Sequence, residues 1–317
     1  MNDIGKKMIH LAAVVLTVSG LTFLMVDLLP GDAAYQIAGQ EATLEDVQAL
    51  QKTLGLDQNI AWRYVKWLSR AASGDLGQSF LTREPVAKAI WSRLPVTLEL
   101  MLLAQMIALA LSIPSAILCA FRPLSPGDRS LTGISFATMS TPVFVMALLL
   151  IYLFAVKLQW LPATGYVPLK EDIWMNIRSF ILPALSIALV EWVPLMRVLR
   201  SDMITTLQKE YILLARAKGL PVYRILFRHA LRPSSFTLLT ILGLQIGHLI
   251  GGALIVETIF ALPGIGRLLV GAIFNQDVNL IQGCILLIAV AYVAINFIVD
   301  VLYAIIDPRI RKGAAVG

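Results

Sequence analysis

Cysteine and histidine are scarce in this chain of 317 residues, which holds two of the first and three of the second. Cys119 and Cys284 each stand inside an apolar run, in neither a CxxC nor another metal-ligand spacing. Both are therefore expected as small buried hydrophobes, and a disulfide framework is not expected. His10, His229 and His248 are scattered, with no acid paired to any of them, so an intramembrane enzyme is poorly supported. No G-x-x-x-x-G-K-[ST] occurs, and neither H-E-x-x-H nor G-x-S-x-G. The chain thus lacks a phosphate cradle of its own and the commonest routes to hydrolysis. Charge is also low, at 15% of residues, against about 25% in a soluble domain.

What fills the space is apolar: 58% of residues are hydrophobic. Six runs are long enough to cross a bilayer as helices, which takes about 20 residues each. They lie near Met8–Leu29, Val96–Phe121, Leu131–Val156, Phe180–Leu199, Phe236–Leu262 and Ile281–Ile306. The first has Lys6 and Lys7 ahead of it, but it runs longer than a usual signal segment. It is followed by Leu29-Pro30-Gly31-Asp32 and not by a small-residue cleavage site, so it is expected to be retained. The expectation is an all-α integral membrane protein with six spans and a small helical insert between the first two.

Basic residues set the direction. Fifteen of the 26 fall on one side when both ends are placed inside, eight of them between Arg197 and Arg232. The shorter outside loops hold Lys157, Lys170, Arg178 and Arg267, and the long segment 30–95 translocates largely regardless of charge. The net charge of +6 thus reads as a topology signal, not as a nucleic-acid groove. The divisions expected are a first span (1–29), an outside helical insert (30–95), a core (96–306) carrying an inside loop at 200–233, and an inside tail (307–317).

Within the insert, Thr43-Leu44-Glu45-Asp46 opens a helix with Val47, Leu50 and Leu54 on one face and Gly55 at its end. A second helix is expected near Gln58–Arg70, with Trp62, Tyr64 and Trp67. Pro85–Leu94, with Val86, Ile90 and Trp91, is expected as a separate amphipathic helix on the membrane surface.

The inside loop is unusual. Ser201 is placed to cap a helix whose stripe runs Met203, Leu207, Tyr211, Leu214. Gly219-Leu220-Pro221 stops it, with Gly allowing a left-handed turn and Pro opening the next helix. That helix shows Val222, Ile225, Leu226, His229 and Ala230 on one face and Arg224, Arg228 and Arg232 on another. A plain connector needs no such elbow, since ordering it costs conformational entropy. A basic headgroup anchor accounts for the arginines, but not for Gly219 beside Ala215 and Ala217, which suit close approach to another protein.

This arrangement resembles the cytoplasmic loop of ATP-binding-cassette importer permeases. With the family glycine on Gly219, only Ala215 of the Glu-Ala-Ala triplet remains. Leu231 takes the family Leu, and Pro233 follows one residue late. Ala215–Leu220 (ARAKGL) and Arg228–Arg232 (RHALR) instead match the peptide and nickel branch. So do LLPGD (Leu28–Asp32), LGLDQ (Leu54–Gln58), GDLGQS (Gly74–Ser79), LPATG (Leu161–Gly165), ETIFALPGIGR (Glu257–Arg267) and DPRIR (Asp307–Arg311). The chain resembles the first of two permease subunits of such an importer. The likeness to nickel permeases is close around Leu158–Tyr166 and Ile246–Arg267.

The resemblance implies a type I importer permease in a bacterial inner membrane, with no cofactor of its own. ATP and Mg would be used by two cytoplasmic ATPase subunits. A second homologous permease, a periplasmic or lipid-anchored substrate-binding protein and membrane lipid complete the expected partners. Coupling to the ATPase would fall on Tyr211, Leu214, Ala215, Arg216, Ala217, Gly219 and Leu220. Intramembrane polar residues usually face a bundle interior or a cavity. Gln245 and His248, three residues apart on one helix face, and Glu257 are pathway candidates. Glu191, Asn296 and Asp300 are taken as structural, as is much of Glu257's role. Gly243, Gly247, Gly251 and Gly252 form a small-residue face for helix packing. A lone secondary transporter or channel is the alternative, but no internal repeat joins the two halves.

Overall fold

The computed structural model describes residues 3–28, 43 and 58–306. The helix expected from Thr43 to Gly55, the motif LGLDQ apart from Gln58, most of LLPGD, and DPRIR with the tail lie outside the described residues. Among those described the chain is helical, with one isolated bridge between Gln78 and Pro85.

The helices are α1 (Asp3–Asp27), α2 (Ile60–Ala72), α3 (Val86–Phe121), α4 (Pro126–Met139), α5 (Val143–Leu150), α6 (Ile173–Leu207), α7 (Glu210–Ala217), α8 (Val222–Arg224), α9 (Arg232–Ile259), α10 (Ile265–Phe274) and α11 (Val278–Ile306). Wider π-helical turns extend α5 through Ile151–Lys157 and join α8 to α9 through Ile225–Leu231. Among the described residues three helices are long and apolar enough to cross a membrane, or up to five if each of two bent pairs counts as one span.

Several expectations are corrected. The third run is not one straight span: α4 and α5 meet at 104°. Ser140-Thr141-Pro142 makes the corner, because Pro142 gives no N–H and steers Thr141 out of helical backbone. Pro142 then stands before α5 with ψ of 147°. Pro85–Leu94 is not a separate surface helix. It is the start of α3, with Val86 and Ile90 buried and only Trp91 exposed. The boundary placed at Pro95 falls inside this same helix. Helix α10 was not anticipated; its ten residues were read as part of an outside loop.

The contacts divide into two compact units. One comprises Met1–Thr97 and Pro263–Ala294. Here α2 is capped by Asn59, whose side chain accepts from the Ala61 N–H at 2.9 Å. It lies on α1 through Tyr64, which bonds Ser19 at 2.8 Å and donates to the Leu16 carbonyl at 3.1 Å. Phe23 meets the Tyr64 and Trp67 rings. The GDLGQS motif is a loop with Gly74 and Gly77 left-handed at φ 86° and 80°. Ser79 donates to Asp277 at 2.5 Å, and Asn279 donates to the Gln78 carbonyl at 2.8 Å.

The other unit comprises Leu98–Leu262 and Ile295–Gly317. Its buried centre is made by α3, α6 and α9 with the π turns before it: Ala108, Ala116, Trp192, Met196, Leu199, Met203, Leu226 and Leu238 are among its members. Small alanines on α3 and α6 let backbones approach closely, as membrane helices require. The LPATG loop is tied to the start of α6 by Arg178, which donates to the Trp160 carbonyl at 2.8 Å, and by Asn176, which donates to the Val167 carbonyl at 2.9 Å.

Candidate functional site

The elbow is built from three breaks in helical hydrogen bonding. Helix α6 runs to Leu207, so Ser201 is not a cap but an interior residue whose carbonyl accepts from Thr205 Oγ1. The break falls instead at Gln208 and Lys209, and α7 begins at Glu210. Glu210 suits the first turn, where free N–H groups favour negative charge.

The second break is Gly219, at φ 74°. Leu220 N–H bonds the Ala215 carbonyl at 3.2 Å, and Gly219 N–H bonds the Arg216 carbonyl at 2.9 Å. This is the paired closure of a helix end around a left-handed residue. A Cβ built at Gly219 meets nothing within 4 Å in this chain, so the demand there is conformational and not steric. Pro221 then sits one place earlier than expected, as the residue before the next helix, at ψ 146°.

The third break was missed in the sequence. The segment after Pro221 is not a second free-standing helix but continues through the π turns into α9. Pro233 has no N–H to offer the His229 carbonyl four residues back, and the Tyr211 hydroxyl donates to that carbonyl at 3.2 Å. Tyr211 thereby straps α7 to the π turns that lead into α9.

The exposed face also differs from the expected stripe. Ile212 and Ala215 are buried, with Ile225, Leu226 and Ala230. Leu214 is exposed with Tyr211, Leu213, Val222, Tyr223 and Phe227. Arg216, Ala217 and Gly219 are exposed and Leu220 is half-buried. The seven coupling candidates thus come together on one element, with Ala215 alone turned inward.

The intramembrane candidates do not form one cluster. Gln245 is buried and donates to the Glu191 carbonyl of α6 at 2.8 Å, near Pro194. His248, on the same helix, is exposed. Glu191 and Asn296 are half-buried, and Glu257 is fully buried. The side chain of Asp300 lies outside the described residues. Of the small-residue face, Gly243 stands against Val299 of α11, a Cβ added at Gly252 would lie 3.9 Å from Ile187 of α6, and one at Gly251 would meet open space. Among the described residues no three His, Cys, Asp or Glu side chains are placed to share a metal ion.

Comparison with known proteins bears on the whole length. Residues 112–312 match the family described as binding-protein-dependent transport system inner membrane component, and residues 3–101 match the N-terminal component of the same systems. A protein of Brucella abortus (strain 2308) named putative peptide transport system permease protein is 42% identical over 306 residues, covering 96% of this chain and 98% of the relative. A probable peptide ABC transporter permease of Sinorhizobium fredii (strain NBRC 101917 / NGR234) is 36% identical over 306 residues, with coverage of 96% and 98%. The glutathione transport system permease of Escherichia coli (strain K12) is 37% identical over 311 residues, with coverage of 98% and 99%. With the helical span architecture, these likenesses identify the chain as a member of the binding-protein-dependent transport system inner membrane components, a multi-pass permease subunit of an ABC importer.

Proposed function

We propose that this chain forms half of the membrane pathway of an ATP-driven importer of short peptides, and that α7 with its Gly219 turn seats in a groove of a cytoplasmic ATPase subunit. The observation that carries this reading is the elbow's exposed apolar face. Tyr211, Leu213, Leu214, Tyr223 and Phe227 stand out of a segment that is basic and on the inside by charge. An exposed contiguous apolar patch rimmed by polar residues marks a protein or membrane contact. The strap from Tyr211 to His229 and the closed turn at Gly219 hold that patch as a shaped unit.

Six spans with both ends inside, an outside insert at 30–95, a second homologous permease and an outside binding protein complete the reading. ATP binding draws two ATPases together, and the docked elbows pass the movement to the spans, because the ATPase pair binds one membrane arrangement more tightly than the other. Gln245, His248 and Glu257 remain the pathway candidates on α9. The names of the three relatives favour a peptide over nickel as cargo.

The test is Gly219→Val beside Gly219→Asn. A β-branched residue in the left-handed region costs about 1–2 kcal/mol, whereas Asn tolerates it. Val is expected to reduce co-purification of the ATPase and its cargo-stimulated hydrolysis, with the spans still inserted, and Asn to retain both. A headgroup anchor gives the reverse pattern: Val is harmless and loss of Arg224 and Arg228 does the damage. Normal docking in Gly219→Val defeats the elbow.

A further inference from the structure

Ten residues before the elbow, the inner end of α6 is locked to another element. Arg200 donates from Nε to one Asp128 oxygen at 2.8 Å and from a terminal nitrogen to the other at 2.7 Å. The Asp128 side chain is only 4% exposed. Its second oxygen also accepts the Leu124 N–H at 2.9 Å, and the Asp128 N–H is capped by Ser125 Oγ at 3.3 Å. Leu124 is left-handed at φ 63°, a conformation that a bulky residue adopts only when held. The short connection from Arg122 to Asp128 is therefore a closed knuckle, and the Arg200 fork grips it in two places.

Stability alone does not explain such a pair. Burying a carboxylate and a guanidinium costs desolvation, and well-packed apolar residues of similar volume often do as well or better. What a bidentate fork supplies is fixed geometry. Arg200 lies seven residues before the end of α6 at Leu207, roughly 10 Å along the axis. Helix α7 starts three residues later. A movement passed from α7 to the end of α6 thus reaches Arg200 within two turns, and Asp128 stands in the first turn of α4, which leads to the 104° corner with α5.

We propose that Asp128 and Arg200 are positioning residues of the transport cycle, the joint that passes the elbow's displacement from α6 into α4. This rests on the elbow reading above, and the two are separable by experiment. Ser130 and Lys209 are exposed, while Cys119 and Cys284 are buried, so single cysteines at those two exposed positions report on α4 and on the elbow with little background. The complex is isolated through a tag on this chain, and thiol labelling is timed with and without ATP plus vanadate.

In the parent, both rates are expected to change by about fivefold or more, the lower range of coupling between linked sites. In Arg200→Lys and in Asp128→Asn the change at Lys209→Cys is expected to persist and the change at Ser130→Cys to vanish, with the ATPase still co-purifying. The apolar pair Asp128→Leu with Arg200→Met is expected to behave likewise. A nucleotide response at Ser130→Cys that survives in these variants, or is missing in the parent, overturns the joint. Loss of both responses together with the ATPase makes the pair a staple of the fold and overturns it too. No response at Lys209→Cys in the parent defeats the elbow reading, and the joint with it.

Discussion

Among the described residues, four helix ends close by the same pair of hydrogen bonds around a left-handed residue, and they differ in which residue stands there. At Gly74 and Gly219 it is glycine, and at Ala261 and Gln276 it is not, with φ of 58° and 51°. Behind Ala261 the Leu262 N–H bonds the Glu257 carbonyl at 2.9 Å, as Leu220 bonds Ala215 behind Gly219. The conformation therefore tolerates a Cβ where burial holds it, with Phe260, Leu262 and Glu257 all buried around Ala261. Gly219 has no such surroundings, since nothing lies within 4 Å of its added Cβ, so there the glycine itself must supply the turn. This part of the site was legible in the sequence, because Gly followed by Leu-Pro leaves few other conformations. Tyr211's bond to a carbonyl 18 residues on was not, since it depends on two helices meeting.

Gly243 carries a different demand. A Cβ there falls 2.4 Å from Val299 Cγ1, with α9 against α11. Gly243→Leu is expected to lower thermal stability in detergent by about 1–3 kcal/mol, the cost of overpacking. Val299→Ala in the same chain should recover part of it. If the double variant is no more stable than Gly243→Leu alone, the contact is not the reason this position is glycine.

At the scale of elements, each of the six apolar runs falls on helix, but the runs do not mark where the helices stop. The fourth run was read as Phe180–Leu199 and the helix is Ile173–Leu207, because charged Arg200 and Asp202 lengthen a helix that hydropathy alone ends. Helix α10 is ten residues long, too short for a span and so absorbed into a loop in the sequence reading. The 104° corner was signalled by Ser140-Thr141-Pro142, but a proline inside an apolar run is ambiguous in a membrane chain. Pro183 and Pro194 lie within α6 and do not end it. The corner's own test follows from this contrast. Pro142→Ala restores an N–H and frees Thr141 to become helical, so the break should weaken and transport should fall while ATPase docking is kept. Transport and docking both unchanged would mean that tertiary contacts, not the proline, impose the corner.

For the whole molecule, the composition and the positions of basic residues argue one orientation, and the elbow depends on it. If 210–233 faces the ATPases, the segment 30–95 faces outward, since three of the apolar runs, an odd number, separate the two. Cys119 and Cys284 are buried and leave a quiet background for a membrane-impermeant thiol reagent. In intact cells with a permeable outer envelope, Gln48→Cys should label readily and Lys209→Cys should not, and Lys209→Cys should react once the membrane is opened. Arg309→Cys in the tail is expected to follow Lys209→Cys, because its basic neighbours Arg311 and Lys312 hold it on the inner side. Labelling of Lys209→Cys but not Gln48→Cys in sealed cells would invert the chain. Exposed Tyr211, Leu213 and Leu214 of α7 would then face the binding protein, and no ATPase could reach them.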